Sequence, residues 1–74
     1  MKTKYEVYAE ILTEDGQCKF KEVKTFKGDR NEFNALSFIS DDRNIMKHGP
    51  MSLIKVDDNG EYQWDDNEGE WYKL

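Results

Sequence analysis

Residues 4–27, KYEVYAEILTEDGQCKFKEVKTFK, decide the fold. Tyr5, Val7, Ala9 and Ile11 alternate with Lys4, Glu6, Tyr8 and Glu10, and a period of two marks a strand with one buried face. Asp15-Gly16 follows, a dipeptide suited to a tight hairpin because both residues tolerate positive φ. A two-residue turn there predicts the facing pairs Tyr5–Phe26, Tyr8–Val23, Glu10–Lys21 and Ile11–Phe20. Aromatic–branched and opposite-charge neighbours of this kind stabilise paired strands. The same register turns Glu22 and Lys24 inward, a conflict that a bulge near Lys21-Glu22 would relieve.

Downstream of the hairpin, Gly28 breaks the strand, and Asp29-Arg30-Asn31-Glu32 reads as a D-x-x-E form of the capping box. Phe33, Leu36 and Ile39 recur at helical spacing, with Ala35 and Phe38 widening the stripe. Ser40-Asp41-Asp42 ends this helix or restarts it with a fresh cap, and His48-Gly49-Pro50 stops the segment. Met51 to Val56 reads as a third strand. A three-residue loop, Asp58-Asn59-Gly60, would set Ile54 opposite Trp64 and Val56 opposite Tyr62. A last strand over Trp71–Leu74 follows a turn at Glu68-Gly69. The expected fold is α+β: a small antiparallel sheet, ββ-α-ββ(β), with one helical segment packed on one face. Residues 57–64, DDNGEYQW, and 65–72, DDNEGEWY, echo one another as two acidic turns, each leading into an aromatic strand.

Residues 1–74 read as one domain, of a size that buries only about 60% of its unfolded surface. With 36% hydrophobic residues but four Phe, four Tyr and two Trp, the core is expected to be thin and aromatic. A lone cysteine, Cys18, excludes an internal disulfide. No apolar run suits a signal peptide or a membrane span, so the expected compartment is the cytoplasm, or that of a host cell. The net charge of −5 is local. Residues 1–56 are almost balanced, whereas residues 57–74 hold seven acids and only Lys73. These form an acidic, aromatic hairpin segment within the domain.

Candidate chemistry is sparse. His48, beside Lys47 in the last helical turn, reads as a cation complementing the helix dipole, and Cys18 as a structural or edge thiol. Taking Gly60 as the sixth residue of a calcium loop puts Lys55 at the first ligand position, and Gly69 puts Trp64 there, so neither frame fits. No His/Cys cluster suits zinc, and no glycine-rich phosphate loop precedes the helix. No catalytic residue, cofactor or metal is therefore expected. Lys19, Lys21, Lys24 and Lys27 make one strand basic, but strict alternation divides them between its two faces, and edge lysines commonly discourage aggregation. Direct contact with nucleic acid or membrane is not expected.

Asp57, Asp58, Glu61, Asp65, Asp66, Glu68 and Glu70 remain, interleaved with aromatics. Trp71 and Tyr72 are adjacent on a strand, so at least one lies off the helix-facing side. An exposed aromatic rimmed by carboxylates has the composition of a protein-binding hot spot, and its field would steer a basic partner. The expected function is a small non-catalytic protein-binding module, whose site comprises those seven acids with Trp71 and Tyr72. Its expected partner has a basic surface, as nucleic-acid-binding proteins do. The carboxylates would stand in for phosphates, in the manner of a DNA-mimicking phage or mobile-element inhibitor of host machinery. The second reading is an assembly protein, a homodimer formed through sheet edges and C-terminal aromatics.

Overall fold

The computed structural model describes residues 3–74. The chain runs β1 (Lys4–Leu12), β2 (Cys18–Lys27), a 3-10 turn (Asp29–Asn31), α1 (Glu32–Ser40), α2 (Asp42–His48), β3 (Met51–Asp57), β4 (Gly60–Asp65) and β5 (Glu70–Lys73). The strands form one sheet in the order β2-β1-β3-β4-β5, antiparallel throughout. This is the expected small α+β fold, with the helices on one face and a complete fifth strand.

β1 is the centre of the molecule. Its inward residues Tyr5, Val7 and Ala9 are buried, and with Leu53 of β3 and Ala35 and Ile39 of α1 they make the core. Val23, Phe26, Leu36, Phe38, Met51, Trp64 and Trp71 pack around it. Phe33 does not join this stripe and is 78% exposed. At 3.6 residues per turn it lies about 200° round the helix from Ala35, so only Ala35, Ile39 and their flanks reach the sheet.

The first hairpin differs from the simple register in two compensating ways. Its loop has three residues, Glu14-Asp15-Gly16, closed by Thr13 and Gln17: the Thr13 amide donates to Gln17 at 2.8 Å and the Gly16 amide to Thr13 at 3.0 Å. Gly16 takes φ +83°, the left-handed position of a three-residue hairpin. The longer loop pairs Glu10 with Phe20 and Ile11 with Lys19, not the expected Ile11 with Phe20. Tyr8 likewise meets Glu22 and not Val23, and Ala9 meets Lys21. A bulge then inserts Val23 between Glu22 and Lys24 and restores the expected Tyr5–Phe26 pair. The reason is burial: the extra residue keeps Phe26 over the core while carrying Glu22 to the opposite face.

The lysines are split between the faces as expected, but the loop and the bulge change how they divide. Lys19 and Lys21 precede the bulge and Lys24 follows it, so all three project on the helix side; Lys27 pairs with Lys4 on the other. Lys24 Nζ lies 5.5 Å from the Phe26 ring centroid.

The second hairpin turns on Asp58-Asn59, pairing Asp57 with Gly60, Val56 with Glu61, Lys55 with Tyr62 and Ile54 with Gln63. The expected Ile54–Trp64 and Val56–Tyr62 pairs are therefore displaced by one residue. The Asp57 carboxylate fixes this turn by accepting from the Asn59 amide at 2.8 Å. Asp65 accepts from the Asn67 amide at the same distance in the third hairpin. The echoed D-D-N sequences thus carry one piece of turn chemistry, in which an aspartate orders the backbone two residues on.

The capping box at Asp29–Glu32 does not form. Asp29 starts the 3-10 turn, α1 begins at Glu32 without a side-chain cap, and the Glu32 carboxylate accepts from Trp71 Nε1 at 2.7 Å instead. The fresh cap falls at Asp41. Its Oδ1 accepts from the Arg43 amide at 2.8 Å, starting α2, and Gly49 ends that helix at φ +77°. The Arg43 amide first, and then the Arg43 guanidinium, hold the Asp41 carboxyl below the ordinary carboxylate range. A lowered folded-state pKa means that the cap stabilises α2 above the unfolded value of about 3.9 and is lost as pH falls through the folded pKa. Amide exchange across Arg43–His48 is therefore expected to accelerate in acid. Asp41→Asn, also a good cap, should remove that pH step while keeping α2 protected, and Asp41→Ala should leave α2 frayed at every pH.

Candidate functional site

One face of the sheet is covered by helices and the other by none of the described elements. Register assigns Tyr8, Phe20, Ser52, Ile54, Val56, Gln63 and Tyr72 to the uncovered side. Tyr8, Phe20, Ser52, Ile54 and Gln63, drawn from four strands, line an open groove of about 260 Å³. A second depression, lined by Gln63, Trp64, Asp65, Asp66, Asn67 and Tyr72, shares Gln63 with it. The two therefore adjoin at Gln63.

The groove extends past the body of the sheet. β1 pairs with β3 only as far as Ala9–Met51, while β1 and β2 continue together to Leu12–Cys18. Glu10–Leu12 and Cys18–Phe20 therefore form a two-stranded arm. Phe20 is 64% exposed and Leu12 74% exposed, and both lie on the uncovered side.

Charge is sorted between the two faces. Glu6, Glu10 and Glu22 join Glu61, Asp65 and Glu70 on the open side, where among the described strand residues only Lys4 and Lys27 oppose them. The strand lysines Lys19, Lys21, Lys24, Lys55 and Lys73 project on the helix side. Contacts bear out the sorting. Tyr8 donates its hydroxyl to Glu6 Oε1 at 3.2 Å, the Thr25 hydroxyl donates to Glu22, and Lys4 pairs with Glu6 at 3.2 Å. Burial raises the Tyr8 phenol above its ordinary value, and the charges of Glu6, Glu22 and Glu61 raise it further. Burial and then Asp65 and Glu70 do the same to Tyr72. Both phenols therefore stay protonated at neutral pH as hydrogen-bond donors.

The residues expected from sequence divide accordingly. Glu61, Asp65, Glu70 and Tyr72 belong to the open face, where Tyr72 is 47% exposed. Asp58 stands in the β3–β4 turn, with Asp57 at its edge on the helix side; Asp66 and Glu68 stand in the β4–β5 turn at the other end of the sheet. The six residues of β4 separate the turns, roughly 20 Å at strand rise, so the seven acids do not form one cluster. Trp71 faces inward, 5.2 Å from the Trp64 ring and 6.0 Å from Tyr5, with Lys55 Nζ 4.9 Å from its centroid. It is a structural residue that docks β5 and α1 together.

Sequence reasoning missed Glu6, Glu10, Glu22, Tyr8, Phe20 and Ile54. The alternation of β1 gave the first two acids and Tyr8 as an outer face. That β3 and β4 lie beside β1 and extend the same face is a long-range pairing with no local signature.

His48 ends α2 with its ring 6.4 Å from Phe38 in a stacked arrangement. Cys18 is exposed on the arm, and its hydrogen bond to Glu10, with that carboxylate's charge, raises the thiol pKa. That is the reverse of what an activated nucleophile requires. Among the described residues no group of three or more His, Cys, Asp or Glu is placed to hold a metal ion, and no helix is long and apolar enough to cross a membrane.

Together these features define a small two-layer α+β protein with one sheet face covered and one open, acidic and aromatic. No family model, no curated protein and no solved structure matches the chain, so its function is read from this surface.

Proposed function

We propose that the protein is a non-catalytic binding module that docks a basic protein surface on the uncovered face of its sheet. The carrying observation is the aromatic groove of Tyr8, Phe20 and Ile54, rimmed by carboxylates from β1, β2, β4 and β5. Apolar side chains at the centre supply affinity through burial, and the charged rim supplies partner choice and encounter rate. A surface that ordinarily holds nucleic acid fits this description. Carboxylates on a rigid sheet would occupy phosphate positions, as in an inhibitor of phage or mobile-element type acting inside a host cell.

Self-association through this same face is disfavoured, because a second copy laid upon it would oppose like carboxylates. The assembly reading would have to use other surfaces.

The test is affinity capture at low and high salt with three forms of the chain: wild type, Glu22→Lys/Glu61→Lys/Glu70→Lys, and Asp58→Lys/Asp66→Lys/Glu68→Lys. The expected outcome is a partner held by the wild type and the turn variant and released by the open-face variant, with retention falling as salt rises. Loss in the turn variant alone would move the contact to the hairpin tips and overturn this reading.

A further inference from the structure

Resting on that reading, we infer that the segment seated on the open face is a cationic amphipathic helix, which would complete a helix–sheet–helix sandwich. Width is the first reason. A helix is about 10 Å across with its side chains and strands lie about 4.8 Å apart, so one helix covers two to three strands. α1 already does this on the far side, where Ala35 and Ile39 pack over β1 and β3 through Val7 and Leu53. The same two strands present Tyr8, Ile54 and Val56 uncovered on the near side.

Pattern is the second reason. Leu12, Phe20, Tyr8, Ile54 and Val56 follow one another from the arm tip to the far end of β3, because Phe20 pairs with Glu10 and Ile54 with Glu6. Glu6 and Glu22 lie on the β2 side of this apolar line, with Lys4 beside Val56 at its far end, and Glu61 and Asp65 lie on the β4 side. An apolar stripe flanked mainly by carboxylates is the complement of a helix carrying apolar residues at i, i+3, i+4 and i+7 and Lys or Arg on either side. Leu12 to Lys4 on β1, which ends beside Val56, is about 27 Å at strand rise, the length of about 18 helical residues.

The third reason is where the free strand edges lie. β2 and β5 are the outer strands, and β1 lacks its β3 neighbour only beyond Ala9, so an extended peptide lying along the middle of the groove, over the β1–β3 pair, gains no ladder hydrogen bonds there. A helix satisfies its own backbone and needs none.

The experiment titrates the isotope-labelled full chain with two designed 18-residue peptides of the same lysine–leucine composition. One has its leucines at helical spacing; the other is scrambled to have no apolar face. The expected result is saturable binding of the amphipathic peptide, with amide shifts centred on Tyr8, Ile54 and Gln63. Affinity should be at least tenfold weaker for the scrambled peptide, and at least tenfold weaker for Phe20→Ser/Glu22→Lys/Glu61→Lys. Equal affinity for both peptides at those same amides would overturn the helical occupant and leave a general basic-surface reader. Shifts centred on the helix side, or no binding by either peptide, would overturn both the occupant and the docking face.

Discussion

Leu53→Ala is expected to remove about 3 kcal/mol of stability, within the range of about 2–5 kcal/mol that such truncations cost in packed cores. Leu53 is 1% exposed and sits opposite Val7, itself fully buried, at the junction of β1, β3 and α1. The site cannot collapse readily: it is held between a strand paired on both edges and a helix whose contact face is only Ala35 and Ile39 with their flanks. A chain of 74 residues, at roughly 0.05–0.15 kcal/mol per residue, has about 4–11 kcal/mol in total. The substitution therefore takes a large share of it. In urea the midpoint should fall while the slope stays constant, and the melting temperature should drop on the order of 15 °C. A loss below about 1 kcal/mol, the range of ordinary surface positions, would show that the core does not turn on this residue.

Trp71→Ala is expected to cost about 2–3 kcal/mol, less than a fully buried tryptophan because the residue is only partly buried. The loss has separable parts. Trp71 packs on Tyr5 and Trp64, holds Lys55 over its face, and donates Nε1–H to the Glu32 carboxylate at 2.7 Å. Trp71→Phe keeps the ring contacts and loses the hydrogen bond, so it should cost about 1 kcal/mol. In a Glu32→Ala background the same Phe change should cost nearly nothing beyond shape, since the bond is already gone. Because β5 is a four-residue edge strand bonded to one neighbour, Trp71→Ala should also speed amide exchange in Gln63–Lys73 more than in β1. Uniform acceleration across the sheet would show that Trp71 serves the whole core and does not specifically dock the edge.

Leu53 and Trp71 mark the limit of what the sequence makes legible. Tyr5, Val7 and Ala9 declare their burial by alternation, and Leu53 falls in a short apolar run. Trp71 gives no such signal. Adjacent to Tyr72 on a strand, it required that one of the two point inward, and nothing local says which. The choice follows from Trp64–Trp71 pairing, and that pairing follows from where the β4–β5 turn closes.

The amino-acid sequence determined the strands, the turn residues, the break at Gly28, the fresh cap at Asp41 and the stop at Gly49-Pro50. Each is encoded in a few neighbouring side chains: pleat parity, a carboxylate within reach of an amide two residues on, a glycine at positive φ. Only the tertiary structure decided the registers, the Val23 bulge and the membership of the open face. A three-residue loop slipped the first hairpin by one, and the demand to bury Phe26 against the core slipped it back. That correction sent Glu22 to one face and Lys24 to the other. Pairing of β1 with β3, more than forty residues on, then laid the outer carboxylates of the first hairpin beside those of the last. Hydrophobic burial is non-directional and acts at any sequence separation, so the acidic segment was divided: Glu61, Asp65 and Glu70 joined Glu6, Glu10 and Glu22 on one face, while Asp58, Asp66 and Glu68 stayed in the turns.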